Sequence, residues 1–283
     1  MPTFIFLYHP SGMNNPVSKT AYYTLACRFW DSQTSNPVCH DTLAYLFMNE
    51  EAGKIAEGFK ALEKPNASIV VRHRIISELV DKELGKNSSL QIINIGCGFD
   101  TRPFKHRSGQ WIEVDEPAVI ASKNRSLPPS ETKNKLTRIA IEFARESLQE
   151  KLSPFKSGEK VVVIAEGVTM YLEEAEQDSF VHTLQELFPR HILLCDVMSL
   201  AFSQKYSQQL HQQINTLGAS FKAIYENPQA IFHKAGYQTY RRISAPLRSA
   251  ELGSVNIPSW LIRYFMPVLR NGLCVYEFGY GIE

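Results

Sequence analysis

Residues 91–102 read QIINIGCGFDTR: a short apolar run that stops at a glycine, a second glycine two positions on, then an acid, a threonine and an arginine. Such a run, bounded by glycine, has the pattern of a strand buried on both faces. The two glycines let the chain turn sharply at the strand's end and approach a ligand with no Cβ in the way. Working outward, similar runs recur as WIEVD at 111–115, RIAIEF at 138–143, VVVIAEG at 161–167 and HILLCDV at 191–197. Further strands are predicted over 237–243 and at CVYEFGY, 274–280. Helical patterns cover 18–31, 41–62, 68–84, 173–188, 199–217 and 227–235. Pro65 is expected to close the N-terminal helical region, Gly85 to cap the 68–84 helix and Gly236 to cap the 227–235 helix. Strand and helix alternate, which predicts an α/β doubly wound sheet.

The chain has 283 residues, 30 Lys+Arg against 29 Asp+Glu, and 44% apolar residues. A chain of this size buries about 75% of its unfolded surface. No repeat or low-complexity tract divides it, so it reads as one domain. A loose arm over residues 1–16 and helical patterns extend to residue 66, the sheet-forming stretch spans 67–200, and 201–283 is expected to carry substrate-pocket elements. A net charge of +1 with no Lys/Arg block disfavours nucleic acid as partner. No apolar run approaches the roughly 18 residues of a membrane span. Five scattered cysteines with no CxxC pair argue against a disulfide scaffold and a zinc site. No metal is expected, and a reducing cytoplasm is the compartment that fits.

In a doubly wound sheet the ligand lies at the carboxyl ends of the strands. The first such end is Gly96-Cys97-Gly98, and Asp115 ends the next strand 19 residues after Gly96, where an acid grips ribose hydroxyls. Thr101 replaces the third glycine of a dinucleotide fingerprint, and Asp100 places a carboxylate where a pyrophosphate would lie. Both features point to a nucleoside without phosphate, such as S-adenosylmethionine; the alternative is a tight turn with no ligand. Arg72 falls on the apolar arc of its helix between Ile69 and Ile76, so it needs a partner. That partner is a protein carboxylate or a ligand carboxylate clamped by the guanidinium. Glu166 stands at a strand's carboxyl end, as a ligand contact or a cap. Glu142 closes the third strand in the same way, or is a solvated edge charge. Lys19 has no spacing argument and reads as a surface lysine.

Three blocks in order, NIGCGFDTR at 94–102, WIEVDEP at 111–117 and AEGVTMYL at 165–172, resemble the leucine carboxyl methyltransferase family. That family includes bacterial O-methyltransferases of polyketide biosynthesis, the tetracenomycin type. VSKTA at 17–21 and VVRHR at 70–74 resemble its N-terminal blocks. The resemblance implies a class I S-adenosylmethionine-dependent methyltransferase sheet with an N-terminal helical lid, yielding S-adenosylhomocysteine. It implies Lys19 and Arg72 at the methionine carboxylate, Gly96 against the methionine portion and Asp115 on the ribose. Glu142 and Phe143 would flank the adenine, Glu166 would hold the methionine end, and Tyr171 would lie nearest the transferred methyl. The family usually has Asp-Leu where this chain has Glu142-Phe143. The acceptor is expected to be a small secondary-metabolite-like or peptide-like molecule with a carboxylate or hydroxyl. A protein C-terminal carboxylate, or no turnover in a module that only binds the cofactor, are the alternatives.

Overall fold

A computed structural model describes residues 15–222 and 224–282. The arm expected over residues 1–16 lies, up to residue 14, outside the described residues. Seven strands form one sheet: β1 (Gln91–Ile95), β2 (Gln110–Asp115), β3 (Lys135–Ala140), β4 (Val161–Ala165), β5 (His191–Met198), β6 (Gln238–Ser244) and β7 (Leu273–Tyr280). Their order is β3-β2-β1-β4-β5-β7-β6; β1 to β5 are parallel, and β7 is antiparallel to both β5 and β6.

Side chains alternate across a strand, and the core shows it residue by residue. Ile93, Val163 and Leu193 face one apolar layer with Val181 and Leu184 of α7 (Glu174–Leu187). Ile92, Val162, Ile164 and Leu194 face the other, against Ile75, Ile76 and Leu79 of α3 (Glu63–Lys86). Continuous β-branched runs therefore form the central strands because both faces are covered. Each such side chain contributes roughly 1.5–3 kcal/mol when fully buried.

The N-terminal cover consists of α1 (Pro16–Ser32), a 3₁₀ turn at Ala44–Phe47, α2 (Glu50–Glu57) and the start of α3. Asn15 caps α1 by accepting from the Val17 N–H at 2.9 Å, and Pro16 occupies the first helical position, where no N–H is needed. Between the strands lie α4 (Arg102–Lys105), α5 (Pro117–Ser126), α6 (Leu148–Leu152), α8 (Leu200–Tyr206), α9 (Gln208–Thr216) and α10 (Ala230–Lys234). Three short helices, α11 (Ala245–Glu251), α12 (Ser259–Phe265) and α13 (Pro267–Gly272), precede β7.

Several expected boundaries move. Pro65 opens α3 instead of closing the segment before it, because its missing N–H is among those a first turn leaves unbonded. Gly85 stays inside α3, which ends at Lys86 with Asn87 as its cap. Residues 199–217 split into two helices at Ser207, and 41–62 contains only the 3₁₀ turn and α2. The third strand ends at Ala140, not at Phe143: the Ile141 N–H still donates to the Asp115 carbonyl, and the chain then turns as the Arg145 and Glu146 N–H groups donate to the Glu142 carbonyl. No helix among the described residues is long and apolar enough to cross a membrane.

Candidate active site

β1 and β4 are sheet neighbours separated in sequence by two strands, so the strand order reverses between them, and that is where doubly wound sheets bind ligands. A cavity of about 870 Å³ opens over their carboxyl ends. The helical cover of α1 and α3 lines one side, the strand-end loops its floor, and α8, α9 and α11 to α13 the far side. Its volume lies near the top of the roughly 300–1,000 Å³ typical of ligand pockets, which leaves room for a donor and an acceptor together.

At one end the Gly96-Cys97-Gly98 turn carries two left-handed glycines, with φ of 64° and 47°. A Cβ on Gly96 would stand 2.6 Å from Val168 Cγ2, so the turn and the β4 loop close on each other only with glycine there. Asp115 lines the cavity beside this turn. Its Oδ2 accepts from the Gly98 N–H at 2.6 Å and its Oδ1 from the Glu116 N–H at 2.7 Å. Burial pushes this carboxyl up to about 6 against the pull of those two N–H groups. A carboxylate held by backbone alone keeps lone pairs for hydroxyl donors.

At the other end a buried ion network ties α3 to the ends of β4 and β5. Arg72 Nε donates to Glu166 Oε1 at 3.1 Å, and Nη1 donates to Asp196 Oδ2 at 2.8 Å. Asp196 Oδ1 accepts from the Gly167 N–H at 2.6 Å. Arg102 donates to Asp100, Glu166, Ser77 and the His73 carbonyl. Burial would raise Glu166 and Asp100, but the surrounding positive charges, Arg102 first among them, together outweigh it and hold both carboxyls low. Burial and then Arg102 push His73 down to about 4, so its ring is neutral at pH 7. A guanidinium only donates, so His73 Nδ1 accepts from Arg102 and the ring proton sits on Nε2. Tyr171, on the turn after β4, also lines the cavity, edge-on to Phe221 with ring centroids 5.0 Å apart. Burial pushes its phenol up to about 12, which keeps it neutral and a donor.

The model of the family described as leucine carboxyl methyltransferase matches residues 21–185, more than half of the chain. The chain belongs to the leucine carboxyl methyltransferase family. It is accordingly an S-adenosylmethionine-dependent methyltransferase. The tetracenomycin polyketide synthesis O-methyltransferase TcmP of Streptomyces glaucescens is 25% identical over 224 residues, covering 76% of this chain and 77% of that protein. Two solved structures share the fold at low identity. A duf574 family protein from Streptomyces avermitilis aligns with a TM-score of 0.61 and 9% identity over 94% of this chain and all of its own. A protein from Thermobifida fusca, provisionally assigned as a methyltransferase, aligns with a TM-score of 0.59 and 13% identity over 93% of each chain.

The site fits the family's cofactor on three counts. Two guanidinium groups, Arg72 and Arg102, face three carboxylates, Asp100, Glu166 and Asp196, which leaves one negative charge in excess. S-adenosylmethionine carries one net positive charge near neutral pH. Asp115 stands at the opposite end with acceptor capacity to spare. Tyr23 Oη and His73 Nε2, buried in residues that line the cavity, have no hydrogen-bond partner among the described residues. Unmet donors of this kind cost about 1–3 kcal/mol each unless a ligand accepts from them.

Of the residues expected from sequence, Arg72, Gly96, Asp115, Phe143, Glu166 and Tyr171 line this cavity. Arg72 takes the first of its expected roles: its Nε and Nη1 pair with protein carboxylates, while Nη2 has no such partner among the described residues. Lys19 and Glu142 are not among the lining residues. On α1 the lining arc runs through Pro16, Val17, Ser18, Thr20, Ala21, Tyr23, Thr24 and Arg28, and helical rotation leaves Lys19 outside it. Glu142 lies past the end of β3, exposed, accepting from Arg145 Nη1 at 3.1 Å. Asp100 is not the bare charge its position suggested, because Arg102 neutralises it. Sequence reasoning missed Asp196, Arg102 and Glu116. Asp196 was detectable by the rule that picked Asp115 and Glu166, since it too sits toward the carboxyl end of an apolar strand. Glu116 Oε1 accepts from Asn15 Nδ2 at 2.7 Å and from the Phe143 N–H at 3.3 Å, tying the start of α1 to the segment after β3.

Proposed function

We propose that this chain transfers the methyl group of S-adenosylmethionine to an oxygen, carboxylate or hydroxyl, of a small acceptor. The observation that carries the reading is that one cavity at the β1/β4 switch is lined both by Asp115, held by backbone N–H groups alone, and by Arg72 and Glu166 of the buried ion network. TcmP, an O-methyltransferase of polyketide synthesis, supports an oxygen acceptor. Arg72 Nη2 would take the methionine carboxylate and Glu166 the methionine ammonium. The Gly96 turn would pass the methionine portion, Asp115 would accept from the ribose hydroxyls, and Phe143 would cover the adenine. Tyr171 would stand beside the transferred methyl.

The cofactor supplies an already electrophilic methyl: the acceptor oxygen bonds to that carbon as the sulfur–carbon pair returns to sulfur. The protein's task is alignment and exclusion of water. A carboxylate acceptor is ionised at neutral pH and needs no base, whereas a hydroxyl acceptor must lose its proton to water as the carbon–oxygen bond forms. Tyr171, neutral and partly buried, orients the acceptor by donation and takes no proton.

Arg72→Lys keeps the charge but loses the planar fork, and about a tenfold weaker affinity for S-adenosylmethionine is expected by calorimetry. Unchanged affinity would remove Arg72 from the methionine end. The pH dependence follows from Asp115. Ribose hydroxyls donate to its ionised form, so affinity is complete above about 6 and falls as pH drops through that value. Titrations from pH 8 down to 5 check the sign; affinity rising toward acid would contradict it.

A further inference from the structure

Beyond Tyr171 the cavity continues past Phe221, which packs both on the cluster around Tyr23, Leu210 and Ile214 and on a second cluster of Met198, Phe202 and Leu273. This far wing is walled by β5's end, α8, the α11–α12 connection, α12, α13 and the start of β7. Met198, Phe202, Val255, Ile262, Leu269 and Leu273 are representative, and no charged residue lines the cavity from these elements. Among the described residues the one cation lining the cavity after β5 is Lys222, whose Nζ lies 3.2 Å from Glu173 Oε1 and 3.7 Å from Glu176 Oε2. A charged group placed in the wing would find no counter-charge there. Apolar groups there gain from every methylene they bury.

Depth in the wing is set by one contact. A Cβ built on Gly272 would lie 2.2 Å from Phe202 Cβ and 2.6 Å from its ring carbons. Gly272, at the end of α13, therefore lets the Phe202 ring lie back against the backbone, away from the space it borders. A side chain at 272 meets Phe202 at its Cβ as well as its ring, so it pushes the residue and its helix α8 away from α13 toward the wing; a smaller residue at 202 opens the wing.

We propose that the acceptor is an amphiphile: one oxygen-bearing head at Tyr171 and an uncharged hydrocarbon body lying past Phe221 in this wing, with the Phe202–Gly272 contact setting how long that body is. The proposal rests on the methyltransferase reading and names its substrate class.

The probes are 4-alkylbenzoates and 4-alkylphenols, from methyl to octyl. Two readouts serve: binding to protein loaded with S-adenosylhomocysteine, and transfer of label from S-adenosylmethionine. Affinity and kcat/KM are expected to rise about fourfold per added methylene until the wing is full. Phe202→Ala is expected to move the optimum to longer chains and Gly272→Ala to shorter ones, each with cofactor affinity unchanged. A merely structural role for the pair would not shift the optimum in opposite directions. Should Gly272→Ala fail to fold, Phe202→Leu, a milder opening, is expected to shift the optimum partway toward that of Phe202→Ala. A flat or falling chain-length profile, an optimum unmoved by the variants, or no binding of any probe while the cofactor binds would each overturn the amphiphile. Failure of the wild type to bind S-adenosylmethionine would instead overturn the reading beneath it.

Discussion

Arg102→Ala is expected to lower the unfolding free energy by about 3–5 kcal/mol, a large part of the roughly 5–15 kcal/mol a domain possesses. The guanidinium is fully buried, and its removal leaves the Asp100 carboxylate with only Asn94 and backbone donors. Glu166 keeps Arg72, but loses one of two compensating charges in a region closed to water. The ring proton of His73 offers no relief, since Nε2 points elsewhere and the imidazole is neutral. Urea denaturation monitored by circular dichroism measures the effect. A loss below about 1 kcal/mol would mean that Arg102 is solvated or that Asp100 is protonated. Stability should also fall in acid in this region. Asp100 is held low in the fold, so its contribution is present above the unfolded carboxyl value and is lost as pH falls toward the folded one.

Asp115→Asn is expected to weaken S-adenosylmethionine binding about a hundredfold, the loss of hydrogen bonds to a charged acceptor at about 1.5–3 kcal/mol each. The variant keeps the shape of the site but its amide turns an N–H toward either the Gly98 or the Glu116 N–H, both of which donate to the native carboxylate. It should also abolish the loss of affinity near pH 6, because that titration belongs to this carboxyl. Calorimetric titration across pH checks both. A variant that binds weakly yet retains the acid limb would assign the limb to another group.

What could be read from sequence follows the physics of each element. Central strands were visible because both faces are covered, so their residues are apolar without interruption, and an acid at such a strand's end stands out. That rule found Asp115 and Glu166 and would have found Asp196. It failed for Glu142 because β3 is an edge strand with half-exposed side chains, whose end no burial signal marks. Lys19 had no spacing behind it, and the helix rotates it off the cavity-facing stripe. Asp100 misled because a sequence does not show that an arginine two positions on folds back over it. Helices α11 to α13 were invisible to periodicity at six or seven residues each. Pro246 and Pro267 in their first turns were the available signs.

The most direct test of the account is the electron density of S-adenosylhomocysteine in crystals of the protein. The ribose hydroxyls are expected within hydrogen-bond distance of the Asp115 oxygens, the carboxylate at Arg72 Nη2, the adenine against Phe143, and the sulfur facing Tyr171. Density with the adenine held by Glu142 and the carboxylate by Lys19, or with the ligand reversed between the two ends, would contradict it.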